Sequence, residues 1–253
     1  MMLEVEQLSK SFGGVHAVAH LSFAVREGEI LGLIGPNGAG KTTVLNVISG
    51  FHRATGGRVV FQGHEITKLK AHEIVKLGIG RNFQSSVLFM ELPVIDNVFT
   101  AYHMSYRTGV WRNLLYLPSA RREERELRRS AEEILEKMGL GQAKDEVTKN
   151  LPHGHQRILG VCLALATKPK LLLLDEPLTG MNKSEVQTMS GLIRDIRDSG
   201  VTIAMIEHNM DAVMSVCERI VVMASGKKIA EGLPKEIQAN EQVVEAYLGK
   251  AEL

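Results

Sequence analysis

The clearest candidate for a chemical role in this sequence is a glycine-rich stretch that ends in a lysine and two threonines. This stretch reads Gly-Pro-Asn-Gly-Ala-Gly-Lys-Thr-Thr, and its first eight residues fit the phosphate-loop pattern in full. Glycines let backbone N–H groups converge on an anion without obstruction by Cβ, and the N-terminus of a following helix adds its positive end. Lys41 would reach the outer phosphates, the Thr42 hydroxyl would hold Mg²⁺, and Thr43 would face the inner phosphates. The sequence therefore predicts a nucleoside triphosphate site at Gly35, Pro36, Asn37, Gly38, Ala39, Gly40, Lys41, Thr42 and Thr43.

Two adjacent carboxylates, Asp175 and Glu176, follow the apolar run Leu171 to Leu174. Successive side chains of a strand point to opposite sides, so the two carboxylates should have different tasks. We expect Asp175 to support the Mg²⁺ shell and Glu176 to orient and deprotonate the water that attacks the γ-phosphate. Acidic residues also end strands simply because water solvates them there, and the phosphate loop upstream favours the catalytic interpretation.

Two further polar side chains follow apolar segments of the same kind. Gln84 could touch Mg²⁺ or the water through its amide, although alone it would read as a surface glutamine. His208 follows the apolar run Val201 to Ile206, in a strand-end loop where sites on parallel sheets gather, and could donate to the γ-phosphate. A lone histidine is more often structural or solvated, so only the whole set of residues favours a functional role.

The elements that must position these residues alternate between strand and helix. Ile30 to Gly50 reads as strand, glycine loop and helix, and alternation resumes from about residue 154 to residue 223. Such alternation predicts a parallel sheet covered by helices. The first segment reads as short strands, with Val15 to Val18 and Leu21 to Val25 separate, whereas residues 85–150 are helical and strongly charged.

The composition excludes several classes of protein. Thirty Lys plus Arg against twenty-nine Asp plus Glu leave 253 residues with a formal charge of +1, so binding of nucleic acid through its phosphates is disfavoured. The arginines of Arg121 to Arg129 alternate with glutamates and read as a solvated helix face. The apolar runs are shorter than the roughly 20 residues of a membrane helix, and the N-terminus lacks the pattern of an export signal. Cys162 and Cys217 are predicted to be buried apolar side chains.

Taken together, the chain resembles the ATP-binding subunits of ABC transporters over nearly its whole length. In chain order the motifs that carry the resemblance are an adenine-stacking aromatic at Phe12, the Walker A loop at Gly35 to Thr42, the Q-loop at Gln84, a signature-like segment at Leu151 to Arg157, Walker B at Leu171 to Asp175 with Glu176, a D-loop at Thr179 to Asn182, and the switch histidine His208. The resemblance implies ATP hydrolysis with Mg²⁺ and an α/β fold. That fold is a P-loop NTPase (RecA-like) core, residues 1–84 and 160–253, with an N-terminal antiparallel β subdomain and an inserted helical subdomain at residues 85–159.

The resemblance also implies partners. Two nucleotide-binding domains, identical or closely related, would pair head to tail, each ATP lying between one protomer's phosphate loop and the other's signature helix. Integral membrane permease subunits would dock on the helical insert, with a solute-binding protein acting indirectly, so the chain would lie peripherally on the cytoplasmic face of the inner or plasma membrane. The apolar side chains Leu88, Phe89, Met90 and Leu92 could contact the permease or belong to the subdomain core.

The signature is where this sequence departs from the family. Members usually read Leu-Ser-Gly-Gly-Gln, whereas this chain reads Leu-Pro-His-Gly-His at residues 151–155. Gly154 keeps the close backbone approach, and Pro152 suits the first turn of a helix. Our hypothesis is that backbone N–H groups and His155 still hold the γ-phosphate. The D-loop likewise ends in Asn182 where aspartate is common.

Within the family, the chain is most similar to the ATPases of branched-chain amino-acid importers. The features are Arg81 to Gln84 leading to Leu88 and Phe89, the extended helical insert, the segment Ile206 to Met210, and the tail Ala246 to Gly249. Urea and amide importers and the ATPase of lipopolysaccharide export share much of this pattern and remain alternatives. A further alternative is a switch subunit that binds ATP and closes but hydrolyses it weakly, because the signature is altered.

Overall fold

The computed structural model describes residues 1–82, 88–105 and 118–248 and arranges them around two β-sheets. The strands are β1 Leu3–Phe12, β2 Val15–Val25, β3 Ile30–Ile34, β4 Gly56–Phe61, β5 His64–Glu65, β6 Ile79–Asn82, β7 Leu171–Asp175, β8 Thr202–Ile206, β9 Arg219–Ala224 and β10 Lys227–Gly232. The helices are α1 Lys41–Ile48, α2 Ala71–Leu77, α3 Val94–Ser105, α4 Pro118–Lys137, α5 His153–Leu165, α6 Lys183–Asp198, α7 Met210–Val216, α8 Pro234–Gln238 and α9 Glu241–Leu248, and two 3₁₀ turns lie at Gly141–Ala143 and Thr148–Asn150.

The first sheet is antiparallel, with strand order β2-β1-β4-β5. The sequence predicted two separate strands where the structure has the single long strand β2, and this prediction is wrong. His20, at the predicted break, has a left-handed φ of 51°, and its backbone N–H donates to the Ser9 hydroxyl. The register with β1 shifts near this point, so the chain absorbs an irregularity without leaving the sheet.

The second sheet has the strand order β10-β9-β3-β8-β7-β6, and its strands are parallel except for the edge strand β10. The strands β3, β7 and β8 are buried at every residue, as expected for parallel strands covered on both faces. Leu172 and Leu174 belong to a hydrophobic cluster with the helices, whereas Leu171 and Leu173 cluster with α1 and the first sheet. The segments that follow β3, β6, β7 and β8 all begin at the same edge of the sheet. The segments after β3, β7 and β8 carry the phosphate loop, Glu176 and His208, and the α/β fold predicted from the sequence is confirmed.

The described part of the chain between β6 and β7 is mainly helical and holds α3, α4, the two 3₁₀ turns and α5. Its buried side chains, such as Tyr102 and Leu135, join one hydrophobic cluster with Ile30 and Ile203 from the sheet. Because this cluster spans both parts, the division into an ATP-binding core and a helical subdomain at residues 85–159 stays a prediction. Gln84 lies outside the described residues, as does part of the charged insert.

Four elements that the structure describes were not predicted from the sequence. They are α2, β10, α8 and α9. Only Ile74 of α2 and Ile237 of α8 are buried, so neither helix shows an apolar periodicity that could be recognised. The edge strand β10 has no fully buried residue, which removes the alternation expected of a half-buried strand.

Both cysteines are buried, as predicted. Burial raises the pKa of the Cys217 thiol to about 12 and also raises the pKa of Cys162, so both side chains are protonated apolar groups at neutral pH. Within the described residues, no helix combines the length and the apolar character needed to cross a bilayer.

Candidate functional site

The phosphate loop connects β3 to α1 and is fixed from behind by backbone atoms. At Gly35, where φ is 151°, a Cβ would lie 2.0 Å from the carbonyl oxygen of Met223. At Gly40, where φ is 98°, a Cβ would lie 2.3 Å from the carbonyl oxygen of Ala17. Only glycine fits at these two positions. The front of the loop is open, with Gly38 exposed and no atom within 4 Å of the position that its Cβ would take.

Lys41 is a buried cation that lies over this loop. Its ammonium group donates to the carbonyl oxygens of Gly35 at 2.7 Å and Pro36 at 3.1 Å. Burial lowers the pKa of Lys41, and the carboxylates of Glu176 and Asp175 partly oppose that shift. A phosphate arriving at the loop would add negative charge beside this desolvated ammonium and stabilise it. The two hydroxyl groups next in the chain, on Thr42 and Thr43, are exposed and half-buried respectively.

Asp175 forms a buried ion pair that the sequence did not predict. Its Oδ2 accepts from the Arg81 guanidinium at 2.7 Å, and the two side chains are 2% and 4% exposed. The guanidinium also donates to Asn46 Oδ1 on α1 and to the hydroxyl of Ser49, the residue that follows α1, both at 2.8 Å. Arg81 therefore links β6, α1 and the end of β7. The available signal was a charged residue on the short strand before Gln84, since buried charges are normally paired.

The second oxygen of Asp175 fits the role of a cation ligand. Asp175 Oδ1 is buried and has no hydrogen-bond partner in the part of the chain that the structure describes. A buried carboxylate oxygen without a donor is unfavourable unless a ligand satisfies it. Carboxylate and hydroxyl oxygens are hard donors of the kind that Mg²⁺ prefers, so Asp175 and Thr42 suit that ion.

The structure brings the side chains of Glu176 and His208 close together. His208 Nδ1 lies 3.7 Å from Glu176 Oε1, and the Thr179 hydroxyl donates to Glu176 Oε2 at 3.3 Å. Glu176 has a left-handed φ of 50°, which is uncommon outside glycine, and its backbone N–H donates to the Ile206 carbonyl at 3.0 Å. This backbone turn gives Glu176 an environment different from that of the buried Asp175.

Next to His208 in the chain is Glu207, a buried carboxylate that sequence reasoning missed. It accepts from the backbone N–H groups of Leu178 at 2.6 Å and His208 at 3.2 Å. Burial raises the pKa of Glu207, and the N–H groups of Leu178, His208 and Asn209 lower it only in part. The signal in the sequence was an acidic residue directly after the fully apolar strand β8.

Phe12, predicted to stack on adenine, lies at the end of β1 with an exposed ring. The Lys10 ammonium lies 4.7 Å from the ring centroid, and the His52 ring meets it edge-on at a centroid distance of 5.2 Å. These contacts orient the ring at the surface while leaving it accessible to a planar ligand.

The signature-like segment leads into α5 and forms its first turn, with Pro152 directly before the helix. Pro152, His153 and His155 are exposed, whereas Gly154 is buried beneath the Glu185 carboxylate. The first N–H groups of a helix have no partner within the helix, so this exposed turn offers donors to an anion. The exposed His153 ring lies close to Gly180 of the D-loop. The described contacts thus join the signature to residues 180–185, and they do not bring Gly154 or His155 to the phosphate loop of the same chain.

We expect Arg81→Met to lower the free energy of unfolding of the nucleotide-free protein by about 3–5 kcal/mol, because it leaves the Asp175 carboxylate unpaired in the interior. Urea denaturation followed by circular dichroism measures this change. The matched control is Arg58→Met, which breaks an exposed pair with Glu6 and should leave the midpoint nearly unchanged. Equal, small shifts for both variants would contradict a stabilising role for the buried pair.

Comparison with known proteins finds family profiles and relatives that match this chain. A family profile described as "ABC transporter" matches residues 18–179, and a second, "Branched-chain amino acid ATP-binding cassette transporter", matches residues 227–252. The high-affinity branched-chain amino acid transport ATP-binding protein LivG of Salmonella typhimurium is 40% identical over 251 residues, which cover 99% of this chain and 98% of LivG. BraF of Pseudomonas aeruginosa, described in the same words, is 39% identical with the same coverage.

A solved structure shares the fold over nearly its full length. The ADP conformation of an ATP-binding cassette of an ABC transporter superposes with a TM-score of 0.87 at 31% identity, covering 98% of this chain and 99% of that one. The order of strands around the phosphate loop is therefore that of a nucleotide-binding cassette.

Proposed function

This chain belongs to the ABC transporter family of ATP-binding proteins and is an ATPase of ATP-driven transport, and from this premise we propose that it powers the import of branched-chain amino acids. The main support for branched-chain amino acids as the transported solute is the separate match of residues 227–252 to the branched-chain amino acid cassette family. This segment includes β10, α8 and α9, beyond the part of the chain that matches ABC transporters in general. The 40% identity to LivG across both parts supports the same proposal.

We propose that ATP binds across the open front of the phosphate loop. The loop N–H groups and the Lys41 ammonium bind the phosphates, and Phe12 stacks on the adenine. The existing contacts favour this arrangement, since Lys41 is already held over the loop by two carbonyl oxygens. A triphosphate would replace those partners with stronger, charged acceptors.

Mg²⁺ would be held by the Thr42 hydroxyl and Asp175, with the Gln84 amide as a further ligand. When bound, this ion neutralises negative charge on the β- and γ-phosphates. The support for Asp175 is its unpartnered Oδ1. Arg81, by binding Oδ2 of the same carboxylate, fixes the direction in which Oδ1 points.

Glu176 is proposed to be the general base for hydrolysis. Its carboxylate accepts a proton from water while the water oxygen attacks the γ-phosphorus and the bond to the ADP oxygen breaks. His208 donates a hydrogen bond to the γ-phosphate, and its position 3.7 Å from Glu176 supports action on the same group. The Thr179 hydroxyl holds the second carboxylate oxygen, which limits rotation of the base.

A second ATP-binding subunit would complete the site. The exposed first turn of α5, with Gly154 and His155, would bind the γ-phosphate of ATP held by the partner's loop. Two features support this pairing. The turn lies on the surface, and its described contacts go to residues 180–185, not to its own phosphate loop. The pair is either two copies of this chain or this chain with a close relative.

The segment after Gln84 is the proposed contact with the membrane permease subunits. The side chains of Phe89, Met90 and Leu92 are exposed, whereas Leu88 packs partly buried against the main hydrophobic cluster. Three exposed apolar side chains so close in sequence form a surface that a partner would cover. Docking there would hold the chain peripherally at the cytoplasmic face of the membrane, with the solute-binding protein acting through the permease.

The cargo is tested on the assembled transporter, purified from membranes with its permease subunits and solute-binding protein and reconstituted in vesicles. We expect leucine, isoleucine or valine to stimulate ATP hydrolysis, with urea and lipopolysaccharide as the matched comparisons. Stimulation by urea or an amide alone, or by lipopolysaccharide alone, would replace the proposed cargo with one of the two competing functions. The same vesicles with the binding protein omitted control for direct effects of each solute on the ATPase.

A further inference from the structure

Glu207 is a buried acidic side chain that the proposed cycle does not use. It is 1% exposed and directly follows the apolar strand β8. Acidic groups are almost never fully buried unless the structure uses or pairs them, since burial disfavours the charged form. The carboxylate is held by backbone N–H groups. Glu207 takes part in none of the ion pairs found among the described residues. Such a costly arrangement requires an explanation.

The two oxygens of Glu207 bind two different segments of the site. Oε1 accepts from the Leu178 N–H at 2.6 Å, two residues after Glu176. Oε2 accepts from the His208 N–H at 3.2 Å. One rigid group at the end of β8 therefore holds both the loop that follows β7 and the residue that carries the switch imidazole.

The loop that follows β7 needs such support because Glu176 has an unfavourable backbone conformation. Its left-handed φ of 50° persists only if the surrounding contacts enforce it. The Glu176 N–H donates to the Ile206 carbonyl at 3.0 Å, and the Leu178 N–H donates to Glu207. Ile206 and Glu207, consecutive residues at the end of β8, thus hold the chain at Glu176 and two residues after it.

A carboxylate suits this task better than its amide analogue. It offers two acceptor oxygens and no donor, so it can accept from Leu178 and His208 at the same time. A glutamine has one acceptor oxygen, and its NH₂ group would face one of the two N–H donors. An aspartate keeps the charge but is one methylene shorter, which would break the 2.6 Å contact to Leu178 unless the backbone moved.

We infer that Glu207 is a positioning residue for ATP hydrolysis: its buried carboxylate fixes, through the Leu178 and His208 N–H groups, the backbone that presents Glu176 and His208 to the γ-phosphate. The inference rests on the proposed function, in which Glu176 is the general base. Glu207 itself touches neither ATP nor the attacking water. It acts through the two residues that do.

The test compares Glu207→Gln and Glu207→Asp with the unaltered full chain, scoring turnover per molecule that binds ATP so that misfolded protein does not count. We expect kcat to fall about 10- to 100-fold, the cost of a small misplacement of reacting groups. ATP binding does not involve Glu207, so KM and the Kd for ATP should change by less than about threefold. Either variant with an unchanged kcat per ATP-binding molecule would overturn the inference.

The matched control is Glu29→Gln, which removes the charge of another buried carboxylate. Glu29 is 5% exposed, accepts from the Arg26 N–H at 2.6 Å and pairs with Arg219, at the end of β3 opposite the phosphate loop. We expect this variant to lower the unfolding temperature while leaving kcat per ATP-binding molecule unchanged. An equal loss of kcat in Glu29→Gln would show that any buried carboxylate has this effect and would overturn the positioning role.

A combination with Glu176→Gln separates failure of the inference from failure of the proposed function. If Glu207 acts only by placing Glu176 and His208 together, Glu207→Gln should cost far less in the Glu176→Gln background than in the parent. Fully additive losses would overturn the inference. Normal turnover of Glu176→Gln alone would remove the general base and with it the proposed function, whereas an inactive Glu176→Gln beside fully active Glu207 variants would reject only the inference.

Discussion

Lys41→Ala is expected to weaken ATP binding by about 10- to 150-fold, because it removes a hydrogen bond to a charged group worth about 1.5–3 kcal/mol. The parent ammonium is buried over the loop, and that burial disfavours its charged form until phosphate arrives. The substitution should therefore lower affinity without destabilising the nucleotide-free fold. Titration of labelled ATP under conditions that prevent hydrolysis measures the change in Kd.

Lys137→Ala is the control for this experiment. Lys137 is an exposed residue that ends α4, so its removal changes the net charge equally and should leave the Kd for ATP unaltered. The proposed site would be wrong if Lys41→Ala bound ATP as tightly as the parent, or if labelled nucleotide were recovered on peptides outside the phosphate loop.

Glu176→Gln is expected to reduce steady-state hydrolysis by about 10²- to 10⁴-fold, the usual contribution of a general base. The amide preserves size but cannot take the proton of the attacking water. ATP affinity should be nearly unchanged because the phosphates are bound by the loop and Lys41. The variant should accumulate as an ATP-bound dimer, which size-exclusion chromatography with light scattering detects.

Two further variants make this result specific. Glu133→Gln neutralises an exposed carboxylate of α4 that pairs with Arg129, and it should turn over normally. His155→Ala, combined with Glu176→Gln, should reduce the amount of ATP-bound dimer if the altered signature holds the γ-phosphate. Turnover that survives Glu176→Gln would remove Glu176 as the general base. Negligible turnover in the parent would instead support a switch subunit that binds ATP and hydrolyses it weakly.

The loops at the edge of the sheet could be predicted from the sequence because each motif is local. The phosphate loop needs glycines, lysine and threonine at fixed spacing between a strand and a helix, and Ile30 to Ile48 contains all of them. The Asp175 and Glu176 pair likewise follows a recognisable apolar strand. Because carboxyl ends of parallel strands share one edge, placing His208 near Glu176 required only the alternation of strand and helix.

The pairings that hold those loops in place could not be predicted in the same way. Arg81 binds Asp175 across 94 residues of sequence, and Glu207 binds Leu178 across 29. Neither pair has a periodicity or spacing of its own, since each depends on which strands become neighbours in the sheet. The left-handed backbone conformation of Glu176 could not be predicted either. Tertiary contacts impose it on a residue that is not glycine, and the sequence carries no signal for it.

The concealed thiols have a practical consequence. Cys162, on the signature helix α5, and Cys217, directly after α7, both lie in the main hydrophobic cluster and are protonated at neutral pH. Thiol-directed dyes and spin labels react with the thiolate, so the native chain should stay unmodified while folded. A single cysteine introduced on the exposed turn of α5 could therefore carry a reporter of subunit approach without removing either natural cysteine. The rate at which Cys162 and Cys217 are slowly modified would in turn measure how often the protein interior opens.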